Sequence, residues 1–148
     1  LAAGLPAPAA AQAHTVLAQV ALRERDLDGA TAHAASVPAS APEWELAQAI
    51  AAAAELGREA IAAGTEEEVR ARIAASPPGS MEDAFALAGY HILNGELRSA
   101  LEDLLALVER DRRWRDEAAR KAMLTVFTLA GVRSPLSDEY RRRLSLLL

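Results

Sequence analysis

Leu17-Ala18 and Leu87-Ala88 open the same spacing twice: thirteen residues after each leucine stands an alanine, Ala30 in the first stretch and Ala100 in the second. A large and a small residue side by side on one helix, facing a small residue on the next, let two antiparallel helices approach closely. Turn residues fall at the same place in both stretches, Arg25-Asp26-Leu27-Asp28-Gly29 and Asn94-Gly95-Glu96-Leu97. Ala30 and Ala100 are 70 residues apart, close to two periods of roughly 34 residues, the length of a helix-turn-helix repeat. A chain with this register stacks helix hairpins, each of which needs a neighbour to cover its apolar face.

Apolar residues recur at helical spacing throughout and no segment reads as a strand, so the expected class is all-α. Alanine supplies 36 of the 148 residues and aromatic residues only 4%, which suits close-packed helices and not a β-sandwich. Punctuation divides the chain into eight helices. Helix 1 is expected from about Gln12 to Arg25 and helix 2 from Leu27 to Val37, before Pro38. Helix 3 runs from Pro42, at its first position, to Ala63, where Gly64 offers a left-handed cap. Thr65 and Glu68 have capping-box spacing and open a short helix 4 that ends before Pro77-Pro78-Gly79. Ser80 with Asp83 opens helix 5, Asn94-Gly95 closes it, and helix 6 follows from Glu96 to about Arg110. Asp116 is the expected N-cap of helix 7, which stops at Gly131, and Ser134-Pro135 opens helix 8, which runs to Leu148.

Residues 1–11 read as an Ala/Pro linker that would follow another domain, with Pro6 and Pro8 stiffening it, and residues 12–148 as the folded domain. This stretch has no basic start and no apolar run long enough to span a membrane. Residues 1–96 carry a net charge of −8 and residues 97–148 one of +3. The arginines of the basic third alternate with Asp111, Asp116, Glu117, Asp138 and Glu139, with no glycine or aromatic interleaving, so ion pairs between helices explain them better than nucleic acid does.

The chain has no cysteine, which removes disulfides and thiolate metal sites within these residues. His14, His33 and His91 fall on three different helices with no acid at ligand spacing, so neither a metal nor a cofactor is expected. No G-x-S-x-G segment and no phosphate-cradling glycine loop occurs, and the acid pairs Glu82-Asp83 and Glu102-Asp103 read as surface charge or helix capping. The expectation is a protein without catalysis.

The double spacing resembles the tetratricopeptide register, with Leu87, Ala88, Gly95 and Ala100 as the motif residues of the better-formed copy. His91 and Leu97 stand where that motif usually has tyrosine. Downstream, Arg110-Asp111-Arg112-Arg113-Trp114-Arg115-Asp116-Glu117-Ala118-Ala119-Arg120-Lys121-Ala122-Met123 resembles the RDR-x-W-x-D-x-x-AR-K segment after the last repeat of bacterial co-chaperedoxins. Those proteins join a thioredoxin-like domain to a tetratricopeptide domain, and the likeness covers only the latter, over about residues 12–148. The resemblance implies a cytoplasmic holdase whose partners are unfolding client proteins, a GroEL-type chaperonin and the DnaK system. It also implies client contact through the repeats and chaperonin docking through the terminal helix. The alternative is a tetratricopeptide scaffold for one specific partner peptide.

In helix 8, placed at 135–148, Leu136, Tyr140, Leu144 and Leu147 form one apolar stripe that would cap the last repeat. Leu146-Leu147-Leu148 exceeds what one stripe can bury. The candidate partner-binding residues are therefore Tyr140, Leu144, Leu146, Leu147 and Leu148, joined by Arg112 and Arg113. Trp114, between helices 6 and 7, is expected to be structural, locking their angle.

Overall fold

The computed structural model describes Gly4 and residues 6–148, and among them there are eight helices and no strand. They are α1 (Ala7–Arg23), α2 (Leu27–Ala35), α3 (Trp44–Ala63), α4 (Glu66–Ala75), α5 (Met81–Leu93), α6 (Leu97–Arg110), α7 (Ala118–Ala130) and α8 (Pro135–Ser145). None of them is long and apolar enough to cross a membrane.

Several boundaries differ from the sequence expectation for identifiable reasons. α1 begins at Ala7, not Gln12, and Ala11 is already in the core, so the expected linker is cut short. Pro8 is accommodated because a helix's first turn has no use for its missing N–H. Residues 1–3 and 5 of that linker lie outside the described residues. α3 starts at Trp44, because residues 38–44 are spent on two successive turns, Ala41 N to Pro38 O at 3.0 Å and Trp44 N to Ala41 O at 3.1 Å. α7 starts at Ala118 and not at Asp116. Arg115, Asp116 and Glu117 all adopt left-handed backbone, with φ of 47°, 55° and 61°, and Asp116 ion-pairs with Lys121 where a cap was expected. α8 ends at Ser145, with Leu147 N bonded back to Leu144 O at 2.9 Å. The caps at Thr65, Ser80 and Ser134 form as the sequence predicts, Thr65 and Glu68 closing a reciprocal box.

The small residues decide the packing. α3 buries Ala47, Ala49, Ile50, Ala53, Ala54, Gly57 and Ala60, so its neighbours come in close to its backbone. At Gly89 a Cβ would stand 2.8 Å from the Leu56 carbonyl oxygen, which only glycine can avoid at this separation of α3 and α5. The motif alanines Ala18, Ala30 and Ala100 are fully buried and Ala88 nearly so, at the hairpins α1/α2 and α5/α6.

The middle of the stack departs from a regular repeat. Helices α3 and α4 fill the interval between the two motif hairpins, yet α4 packs chiefly on α5. Val69 is the one residue α4 fully buries, and the rest of its hold is polar: Arg72 pairs with Asp83 and donates to the Ala63 carbonyl at 2.6 Å. α3 consequently touches α1, α2, α5 and α7, and α7 leans on α3 and α6.

Candidate protein-binding surfaces

At the carboxy-terminal end, α8 is fastened by charge and by burial. Arg98 pairs with Glu139 at 3.0 Å and Arg143 with Glu102 at 2.9 Å, tying α8 to α6 on both flanks. Between them Tyr140 is 1% exposed, with both guanidiniums over its ring at 5.6 and 4.9 Å. Leu144 is 5% exposed. Burial removes Tyr140 and Leu144 from the candidate contacts, because a partner could reach them only by prising α8 off the stack. Ser137 is likewise buried, its Oγ 2.7 Å from the Gly131 carbonyl and 3.1 Å from that of Phe127, which knots the start of α8 to the end of α7.

The tail behaves differently. Leu146 is 85% and Leu148 56% exposed, while Leu147 packs partly on the core. Arg112 and Arg113 are exposed, make no side-chain ion pair, and line a cleft of about 560 Å³ together with Arg120 and Leu148. The structure thus separates the seven expected contacts into a buried pair, one half-buried leucine and an accessible set of four.

Of the motif residues, Leu87 is half-buried and Gly95 supplies the φ of 74° that turns α5 into α6. Trp114 is half-buried and packs edge-on against Phe85 of α5, ring centroids 5.3 Å apart, so the helix it braces is α5. A family profile for the tetratricopeptide repeat matches residues 59–148. The chain belongs to the tetratricopeptide repeat family. It is an all-α tetratricopeptide domain, which is a protein-binding module. No curated protein and no solved structure matches it.

The tetratricopeptide domain also holds polar constellations that sequence reading did not bring together. His91, buried in α5, has Nδ1 2.5 Å from Asp103 Oδ2 on α6 and Nε2 3.1 Å from Arg70 Nη2 on α4. An ionised carboxylate only accepts and a guanidinium only donates, so the neutral imidazole with its proton on Nδ1 satisfies both. Asp103 is therefore not the surface charge expected of it. Burial pushes its carboxyl up, and the neighbouring His91 partly offsets that. His14 and His33, placed on separate helices by sequence, meet with their Nδ1 atoms 3.0 Å apart. The described residues contain no group of three or more His, Cys, Asp or Glu side chains placed to hold a metal ion.

A third constellation lies between α3 and α7. Arg115 pairs with Glu59 of α3 at 2.7 Å and lies over two rings, Phe85 and Trp114, each centroid 5.3 Å away. Three consecutive non-glycine residues in left-handed backbone put it there, at roughly 1 kcal/mol or more each. No sequence signal announced this, because the connection contains no glycine to mark a left-handed turn.

Proposed function

We propose that this tetratricopeptide domain is the client- and chaperonin-binding part of a holdase related to the co-chaperedoxins, working in the cytoplasm and without catalysis. The observation that carries the reading is the pair of exposed leucines, Leu146 and Leu148, standing beyond a helix whose inner face, Ser137, Tyr140 and Leu144, is buried. An apolar side chain held in water at the end of a rigid support is suited to a partner's apolar groove. The segment from Arg110 to Met123 supports the same reading through its resemblance to the co-chaperedoxin signature. Unfolding proteins are the clients in this reading, a GroEL-type chaperonin is the docking partner, and the DnaK system receives clients as well.

The test is chaperonin binding in solution by the intact chain and by the doubly substituted chain Leu146→Ser, Leu148→Ser. Removing all of α8 would uncover the core beneath Tyr140 and Leu144, so the tail substitutions are the cleaner comparison. Loss of binding with unchanged helicity supports the docking role, and undiminished binding defeats it. Suppression of aggregation across several unrelated unfolding proteins separates a holdase from a scaffold for one peptide.

A further inference from the structure

We propose that the groove α3 forms with α7 on one side and α5 on the other is a recognition site for an arginine side chain carried on an apolar segment of a partner protein, and that Arg115 occupies it as an internal stand-in. Two clefts, of about 420 and about 310 Å³, lie on either side of Arg115 and share Glu59, Phe85 and Arg115 in their walls. Between these clefts a guanidinium meets what guanidiniums are recognised by: a carboxylate at 2.7 Å and aromatic faces at 5.3 Å. Alanine and leucine side chains floor the clefts, among them Ala52, Leu56 and Ala86. Glu55, which pairs with Arg58, and Glu82 stand at the walls beside Glu59, and Lys121 faces them while paired with Asp116, so with Arg115 withdrawn the walls hold three acids to one base and favour a cationic, apolar segment over an acidic one.

Arg115 is poorly committed to this place. Glu59 is its single hydrogen-bond acceptor, out of five N–H donors, and both members of the pair are nearly half exposed. Exposed ion pairs of this kind contribute little. The run from Arg115 to Glu117 that carries it is left-handed at three non-glycine residues, a costly backbone for L side chains. An incoming arginine would therefore exchange one weak pair for an equivalent pair while its flanking apolar residues fill the two clefts. The site shares no residue with the terminal leucines and goes beyond the docking function proposed for them.

The test uses the full chain with Trp44→Phe, so that Trp114 alone reports by fluorescence. The probe is a blocked heptapeptide of alanine and leucine with a central arginine, run beside the same peptide with a central glutamate. The arginine peptide is expected to bind the parent chain and to bind Arg115→Ala about fivefold more tightly, the worth of one exposed pair. Arg115→Gly suits the left-handed backbone and is expected to show the same gain, which guards against a folding defect in the alanine variant. Adding Glu59→Gln to either variant is expected to cancel the gain, and a chain ending at Ser145 to bind as the parent does. Equal affinity for the two peptides, or no gain on removing Arg115, would overturn the proposal, and so would loss of binding in the shortened chain.

Discussion

The hydroxyl of Tyr90 donates to the carbonyl oxygen of Gly64 at 2.5 Å, joining the core of α5 to the connection between α3 and α4 while Arg25 lies over the ring at 5.6 Å. One side chain thus ties three parts of the fold at the point where α4 leaves the regular stack. Tyr90→Phe keeps the packing and leaves the carbonyl to water. It is expected to cost about 1 kcal/mol, measured as the change in urea-unfolding free energy against the parent. A loss confined to the amide protection of α4 would show that the bond holds that helix locally.

Gly57 and Gly89 are both buried in helices, yet alanine should have unequal consequences at the two. At position 57 the new Cβ meets the end of the Leu93 side chain at 2.7 Å, which can rotate away; at position 89 it meets the Leu56 carbonyl at 2.8 Å, which cannot. Gly57→Ala is expected to be near neutral, helix propensity offsetting the repacking, whereas Gly89→Ala should destabilise by about 1–3 kcal/mol. Thermal melts of the two variants check the ordering.

Tyr140 and Leu146 stand six residues apart and belong to different regimes. Tyr140→Ala is expected to cost about 3–5 kcal/mol through the cavity it leaves. Leu146→Ser should stay within about 0.5 kcal/mol of the parent, since its side chain is already in water. Denaturant titration of both separates support from contact: comparable losses would mean that the tail is packed.

Acidification should weaken the fold. Hydrogen bonds hold five carboxylates below their ordinary range: from Asn94 to Glu66, from the Thr65 backbone to Glu68, from Arg72 to Asp83, from Lys121 to Asp116, and from Arg98 to Glu139. Each binds fewer protons folded than unfolded, so its contribution is complete above the unfolded carboxylate value near ~4 and is lost as pH falls through the lowered folded value. Asp103, raised by burial, works in the other direction and recovers stability on acidification. With five groups against one, the melting temperature is expected to fall as pH drops through about 4 and below. A rise instead would assign control to Asp103.

The helices were legible because their punctuation is local. Thr65, Ser80, Ser134 and Gly95 act within a turn of their own positions, and the hairpin alanines announce themselves by spacing. Boundaries slipped where the deciding partner is distant or the backbone unusual. Nothing near Asp116 tells that the connection turns left-handed or that Arg115 pairs with Glu59, 56 residues earlier. The site suffered from the same blindness. The apolar stripe on α8 is visible in the sequence, but whether Tyr140 covers the stack or greets a partner depends on Arg98 and Glu102 of α6, which no local pattern connects to it. His91, Asp103 and Arg70 come from three helices and have no motif at all.

α3 gives the domain an uncommon folding economy. In a plain solenoid each unit leans on its immediate neighbours, and the array can melt from an end inward. Here the alanine-rich helix packs chiefly against α1, α2, α5 and α7, drawn from both halves of the chain. Neither half can lose its grip on that helix without disturbing the other, so unfolding should run as one cooperative event, with α4 and α8, which pack chiefly on other helices, able to detach beforehand. Amide exchange would register this as a single slow class spanning α3, α5 and α7, set against a fast class over α4 and α8.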